Sequence, residues 1–71
     1  MINYKLESGN RYNVCCDIVN NKHHYSYTID LIFIDYILDC KDNNIYYRFL
    51  TNSELIIKLP QNTILSIEDN G

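Results

Sequence analysis

Apolar residues recur at every second position through most of this chain, and no other feature limits its fold as much. Tyr12, Val14, Cys16 and Ile18 alternate with Arg11, Asn13 and Asp17. Successive side chains of a strand point to opposite faces, so this spacing buries one face and wets the other. A helix would need apolar residues three or four apart. Ile2, Tyr4 and Leu6 alternate with Asn3, Lys5 and Glu7 in the same way, ahead of a turn at Ser8–Asn10.

The alternation changes phase once. Tyr25, Tyr27, Ile29, Leu31 and Phe33 are apolar at odd positions, then Ile34, Tyr36 and Leu38 at even ones. A phase change inside one long strand predicts a bulge or a sharp bend. The alternative is a helix over residues 28–39 packed on an antiparallel sheet, because positions 29, 32, 33, 36 and 37 share a helical face. The β-branched and aromatic content favours the strand, and no capping box precedes the segment.

Asn20–His24 reads as a turn, and so does Lys41–Asn44. The runs "IYYRFL" and "ELIIKL" read as a hairpin. Directly opposed residues share a face, so only an odd-length loop keeps one face wholly apolar. A loop of Thr51–Ser53 places Tyr47 opposite Ile57, Phe49 opposite Leu55, and Ile45 opposite Leu59. Arg48 then faces Ile56, and Tyr46 faces Lys58. Pro60 ends the strand, "QNT" reads as a 3₁₀ turn, "ILSIE" as a last strand, and "DNG" as a frayed end.

These elements predict an all-β fold over residues 1–71 as a single domain: a small antiparallel barrel or strongly curled sheet of five to six strands. Curling is the simplest way for one apolar face to be hidden without a helix. Residues 33–68, and "DYILDCKDNNIYYRFLTNSELIIKLPQNTILSIE" within them, resemble the strand and turn succession of SH3-like barrels. The tryptophan of the peptide pocket in signalling SH3 domains has no counterpart, so no peptide-binding residue is carried over.

The chain has 71 residues and three cysteines, an odd number. Its first residues carry no apolar signal-peptide core, so a reducing, cytoplasmic setting is expected. The longest apolar run, Leu31–Ile34, is far short of a membrane span. A net charge of −3 argues against a dedicated nucleic-acid binder.

Cys15, Cys16, Asp17, His23 and His24 together suggest a metal site. Zinc needs several such side chains converging on one point, yet neighbours in a strand diverge. Parity sends Cys16 to the core and leaves Cys15, with His23 or His24 across the turn, as the one ligating combination. No metal and no cofactor is expected. Cys15 or Cys40 with a histidine could make a nucleophile, but so small a barrel has little cleft to house one, so the chain is expected not to be an enzyme. Asp30, Asp35, Asp39 and Asp42 read as solubility and edge protection. No glycine-rich phosphate loop is present.

Tyr46, Arg48, Ile56 and Lys58 form the outward face of the predicted hairpin. Interfaces enrich tyrosine and arginine, so these residues are the expected partner-binding set. The expected function is a non-enzymatic protein-interaction module. In size and in its Asn-, Ile- and Tyr-rich composition the chain resembles the small inhibitors encoded by phages and mobile elements, anti-CRISPR proteins among them. That resemblance implies binding and blocking a larger host protein. The alternatives are a single-stranded nucleic-acid binder, stacking bases on the same patch, and a metal-stabilised structural domain. A chain this short could also form a homodimer.

Overall fold

The computed structural model describes residues 5–70. Strands β1 (Arg11–Asn20), β2 (His23–Asp39), β3 (Asn44–Leu50), β4 (Ile56–Pro60) and β5 (Ile64–Asp69) form one antiparallel sheet. The strand order is β4-β3-β2-β1-β5. The 3₁₀ turn Gln61–Thr63 links β4 to β5, and the Thr63 hydroxyl fastens it by donating to the Pro60 carbonyl at 2.8 Å.

Residues 28–39 are strand throughout, so the helical alternative is wrong. The reason is strand pairing in relay: β1 pairs with the segment as far as Ile32 and β3 takes over from Ile32 to Asp39, so ladder bonds replace those a helix would make. The phase change is a bulge. Phe33 pairs with Phe49 and Asp35 with Arg48, leaving Ile34 as the extra residue.

The sheet does not close or curl strongly, contrary to the barrel expected. No ladder joins β4 to β5. β4 is short and ends on Pro60, which has no N–H to offer. β5 gives its pairing to β1 and carries its own irregularity, with Cys15 opposite Ser66 but Cys16 opposite Ile64.

Among the described residues the first predicted strand is also absent. Ile2 and Tyr4 lie outside the described residues, and Lys5–Glu7 are not strand. Instead the chain turns at Glu7–Asn10, where the Asn10 N–H donates to the Glu7 carbonyl at 3.1 Å. Gly9 has φ 90° there, the third-position geometry of a type II turn that glycine adopts without steric cost.

The β1–β2 turn is tighter than the sequence suggests. Asn20 pairs with His23. Asn21 and Lys22 have φ 51° and 68°, the signature of a type I′ turn, whose twist matches the strands it joins. Both histidines therefore belong to β2 and not to the turn. At the other end Asn70 is held and does not fray: its N–H donates to the Arg11 carbonyl and its side chain to Asp30, each at 3.1 Å.

The core occupies one face of the sheet. It comprises Tyr12, Val14, Cys16, Leu31, Phe33, Tyr47, Phe49 and Ile64, with Leu6, Ile29, Ile57, Leu59 and Ile67 packed around them. The Phe33 ring stands edge-on to Phe49 at 5.7 Å and to Tyr47 at 6.2 Å, geometries that add to simple burial. The same face continues past the core in both directions. Ile18, Tyr25 and Tyr27 on the β1–β2 arm, and Tyr36, Leu38 and Ile45 at the opposite end, remain exposed.

Candidate functional site

The outer face is set by the β3–β4 hairpin. Its loop runs from Thr51 to Leu55, longer than the three residues expected, and Leu50 pairs with Ile56. The Thr51 hydroxyl accepts the N–H groups of Ser53 (3.2 Å) and Leu55 (3.1 Å), and Glu54 takes φ 64°. These bonds draw Glu54 and Leu55 out of the strand. Four of the five predicted pairings are displaced by one side-chain period, and the fifth, Ile45 with Leu59, is lost: Phe49 faces Ile57, Tyr47 faces Leu59, and Arg48 faces Lys58. Tyr46 faces Pro60, and Ile45 faces Leu38 of β2. The loop length remains odd, so the faces are as predicted.

Tyr46, Arg48, Ile56 and Lys58 therefore share the outer face, although their neighbours differ from those expected. The Lys58 ammonium sits 4.6 Å from the Tyr46 ring centroid, a cation–π contact. The Tyr46 hydroxyl donates to Asp42. That hydrogen bond holds the Asp42 carboxyl below the usual carboxylate range and pushes the Tyr46 phenol up. Arg48 donates from Nε and Nη2 to the two carboxylate oxygens of Asp35, both at 2.6 Å. This fork depresses Asp35 and raises Arg48. With the Asp35 value lowered on folding, the contribution of the pair is present above the ordinary carboxylate range. It is lost as pH falls through the depressed value. Ile56 is 64% exposed beside them.

Asp35, which the sequence alone places in edge protection, is instead the partner of Arg48. The signal was available: the phase change after Phe33 turns Asp35 and Ile37 to the outer side, next to Arg48 and Tyr46. Asp42, read as a turn residue, likewise holds Tyr46. With two cations and two carboxylates the patch is electrically balanced.

Chain register separates the sequence-derived metal candidates. Cys15 lies opposite Thr28, and neither histidine reaches it. His24 lies opposite Val19, with Nδ1 3.6 Å from an Asp17 carboxylate oxygen, and His23 points to the other face. Among the described residues no three His, Cys, Asp or Glu side chains are placed to hold a metal ion. Cys40 follows the end of β2 opposite to the histidines, which gives it no imidazole base. A pocket of about 290 Å³ opens between Leu6, Glu7, Tyr12, Ile67 and Asp69. Compared with known protein families, curated proteins and solved structures, the chain matches none.

The thiols divide by environment. Cys16 is buried, and burial first, then neighbouring Cys15, pushes its thiol up; a hydrogen bond with Tyr27 works the other way. Cys40 is exposed and Cys15 intermediate. Since the thiolate is the reactive species, Cys40 should label first with an aromatic disulfide reagent in the native protein. Cys16 should label only at the rate of unfolding. Peptide mapping after timed quenching checks the order, and rapid native labelling of Cys16 would contradict its burial.

Proposed function

We propose that this chain is a non-enzymatic protein-interaction module that binds a larger protein through Tyr46, Arg48, Ile56 and Lys58. One observation carries the reading. Exposed Ile56 lies beside two polar arrangements that are already ordered, Lys58 on the Tyr46 ring and Arg48 forked on Asp35. Side chains ordered before binding lose less entropy on binding. A tyrosine and an arginine around an aliphatic residue match the composition of interface anchors. A blocking role, as in small phage-encoded inhibitors, suits a rigid face of this kind.

An SH3-like connectivity belongs to the same reading. The strand order β4-β3-β2-β1-β5 and the 3₁₀ turn between β4 and β5 support it, in an open sheet and without barrel closure.

The test spares Arg48, because Arg48→Glu would set two carboxylates against each other at Asp35. Ile56→Asp with Lys58→Glu should cost the captured partner at least tenfold in affinity, or about 1.4 kcal/mol. The circular dichroism spectrum should not change. Partner capture from cells that express the chain, followed by titration, measures it. Unchanged affinity would remove the assignment. Salt-dependent binding of a single-stranded oligonucleotide through the same patch would favour the nucleic-acid alternative.

A further inference from the structure

We infer that the protein forms a two-fold symmetric dimer by pairing the open edge of β2, His23–Leu31, with the same edge of a second copy. This surface is separate from the Tyr46 face and does not depend on the proposal made for it.

Among the described residues, β3 pairs with β2 only from Ile32 onward. On that side His23–Leu31 has no strand beside it, while β1 covers its other side along the whole length. The Phe33 N–H donates to the Asn10 carbonyl, and the Phe33 carbonyl accepts from Gly9, both toward β1. Backbone groups of an antiparallel ladder alternate in direction. The odd residues of β2 therefore bond to β1, and the N–H and C=O groups of His24, Ser26, Thr28 and Asp30 point out at the open edge.

Natural sheets guard such edges with lysine, proline, bulges or short length. The other uncovered edges are shorter or guarded: Asp17–Asn20 of β1 beyond β5 is four residues, and Ile34–Asp39 of β2 beyond β1 starts at the bulge and carries Asp35 and Asp39. β4 is short and carries Lys58 and Pro60. β5 is short, irregular at Leu65, and acidic at its end. The open edge of β2 has no lysine, no proline and no bulge, and it carries Tyr25 and Tyr27 exposed on its apolar side.

The occupant follows from register. Antiparallel pairing that uses this whole edge sets His23 opposite Leu31 of the second copy, so the two-fold axis passes at Tyr27. The outward-facing groups then meet each other, Ser26 with Thr28 and His24 with Asp30. His24 of each copy is brought beside Asp30 of the other, twice by symmetry. On the apolar side Tyr25 meets Ile29 and Tyr27 meets Tyr27. Inside the terminal His23–Leu31 pairs, polar thus meets polar and apolar meets apolar in this register. A C₂ interface requires this self-complementarity, and an arbitrary partner strand would not supply it.

Sedimentation equilibrium on the full chain is expected to give twice its 8.4 kDa mass at micromolar concentration. In hydrogen exchange, the amides of His24, Ser26, Thr28 and Asp30 should gain protection as concentration rises. Thr28→Pro removes one outward N–H at an edge position where proline is tolerated. Thr28→Lys adds an edge charge and keeps the N–H. Both should shift the dissociation constant at least tenfold toward monomer with unchanged circular dichroism. Should the proline variant not fold, the lysine variant decides. A monomer at hundreds of micromolar would overturn the inference, as would a dimer that persists in the folded lysine variant.

Discussion

Phe49→Ala is expected to destabilise the fold by about 3–5 kcal/mol, the range for removing a buried aromatic ring. Phe49 is fully buried at the centre of the core, opposite Phe33 in β2 and Ile57 in β4. Its ring meets Phe33 edge-on, so the substitution removes a ring contact and leaves a cavity whose walls are held by three strands. The total available is small. At roughly 0.05–0.15 kcal/mol per residue, 71 residues hold about 4–11 kcal/mol. The variant should be substantially unfolded at 37 °C or melt far below the parent. Urea titration followed by circular dichroism measures it. Phe49→Leu, which keeps most of the volume, should cost clearly less. A loss below about 1 kcal/mol for Phe49→Ala would mean that the core is not organised around this ring.

How much of this was legible in the sequence depends on which physical rule wrote each feature. Parity did most of the work. A strand with one buried face repeats every second residue, so Val14, Cys16, Leu31, Phe33, Tyr47 and Phe49 are recognisable as core without a structure. The Ile34 bulge was legible for the same reason, since one unpaired residue leaves a phase change in the pattern. Loop lengths were less legible. The Thr51 hydroxyl gathers two N–H groups and draws Leu55 into the loop. An apolar residue next to a strand looks like its continuation, and parity cannot tell a loop of three from one of five. Barrel closure was not legible at all. It depends on whether the two edge strands meet, and Pro60 and the β5 irregularity act against that through the backbone.

The candidate face was legible in membership and not in chemistry. Tyr46, Arg48, Ile56 and Lys58 share a face because any odd loop places them so. Their partners come from elsewhere in the chain: Asp35 across the bulge and Asp42 from the preceding turn. Two cations that looked available to phosphates are thereby matched by two carboxylates. The edge of β2 shows the converse. Nothing in the local pattern of "HHYSYTIDL" distinguishes a covered strand from an open one. Only the point at which β3 begins to pair reveals it.

The adjacent cysteines allow the parity rule to be tested at a single step along the chain. Cys16→Asp is expected to cost about 3 kcal/mol or more at neutral pH, and Cys15→Asp less than about 1 kcal/mol. Aspartate is close to cysteine in size, so the difference isolates the charge. Cys16 is 2% exposed, with Tyr27 on one side and Ile64 on the other. Burial there would raise the new carboxyl by roughly two to three units, each worth about 1.4 kcal/mol. Cys15 lies on the wetter face between Thr28 and Ser66, where a carboxylate keeps its water and finds hydroxyl groups. The pH dependence separates charge from shape. A carboxyl whose value is raised on folding destabilises least below its unfolded value of about 3.9 and most once pH has passed its folded value. The gap between the two variants should therefore narrow as pH is lowered from 7 to 4, by urea titration at each pH. A gap that does not change with pH would assign the loss to packing. Equal losses in both variants would mean that the two side chains do not lie on opposite faces of β1.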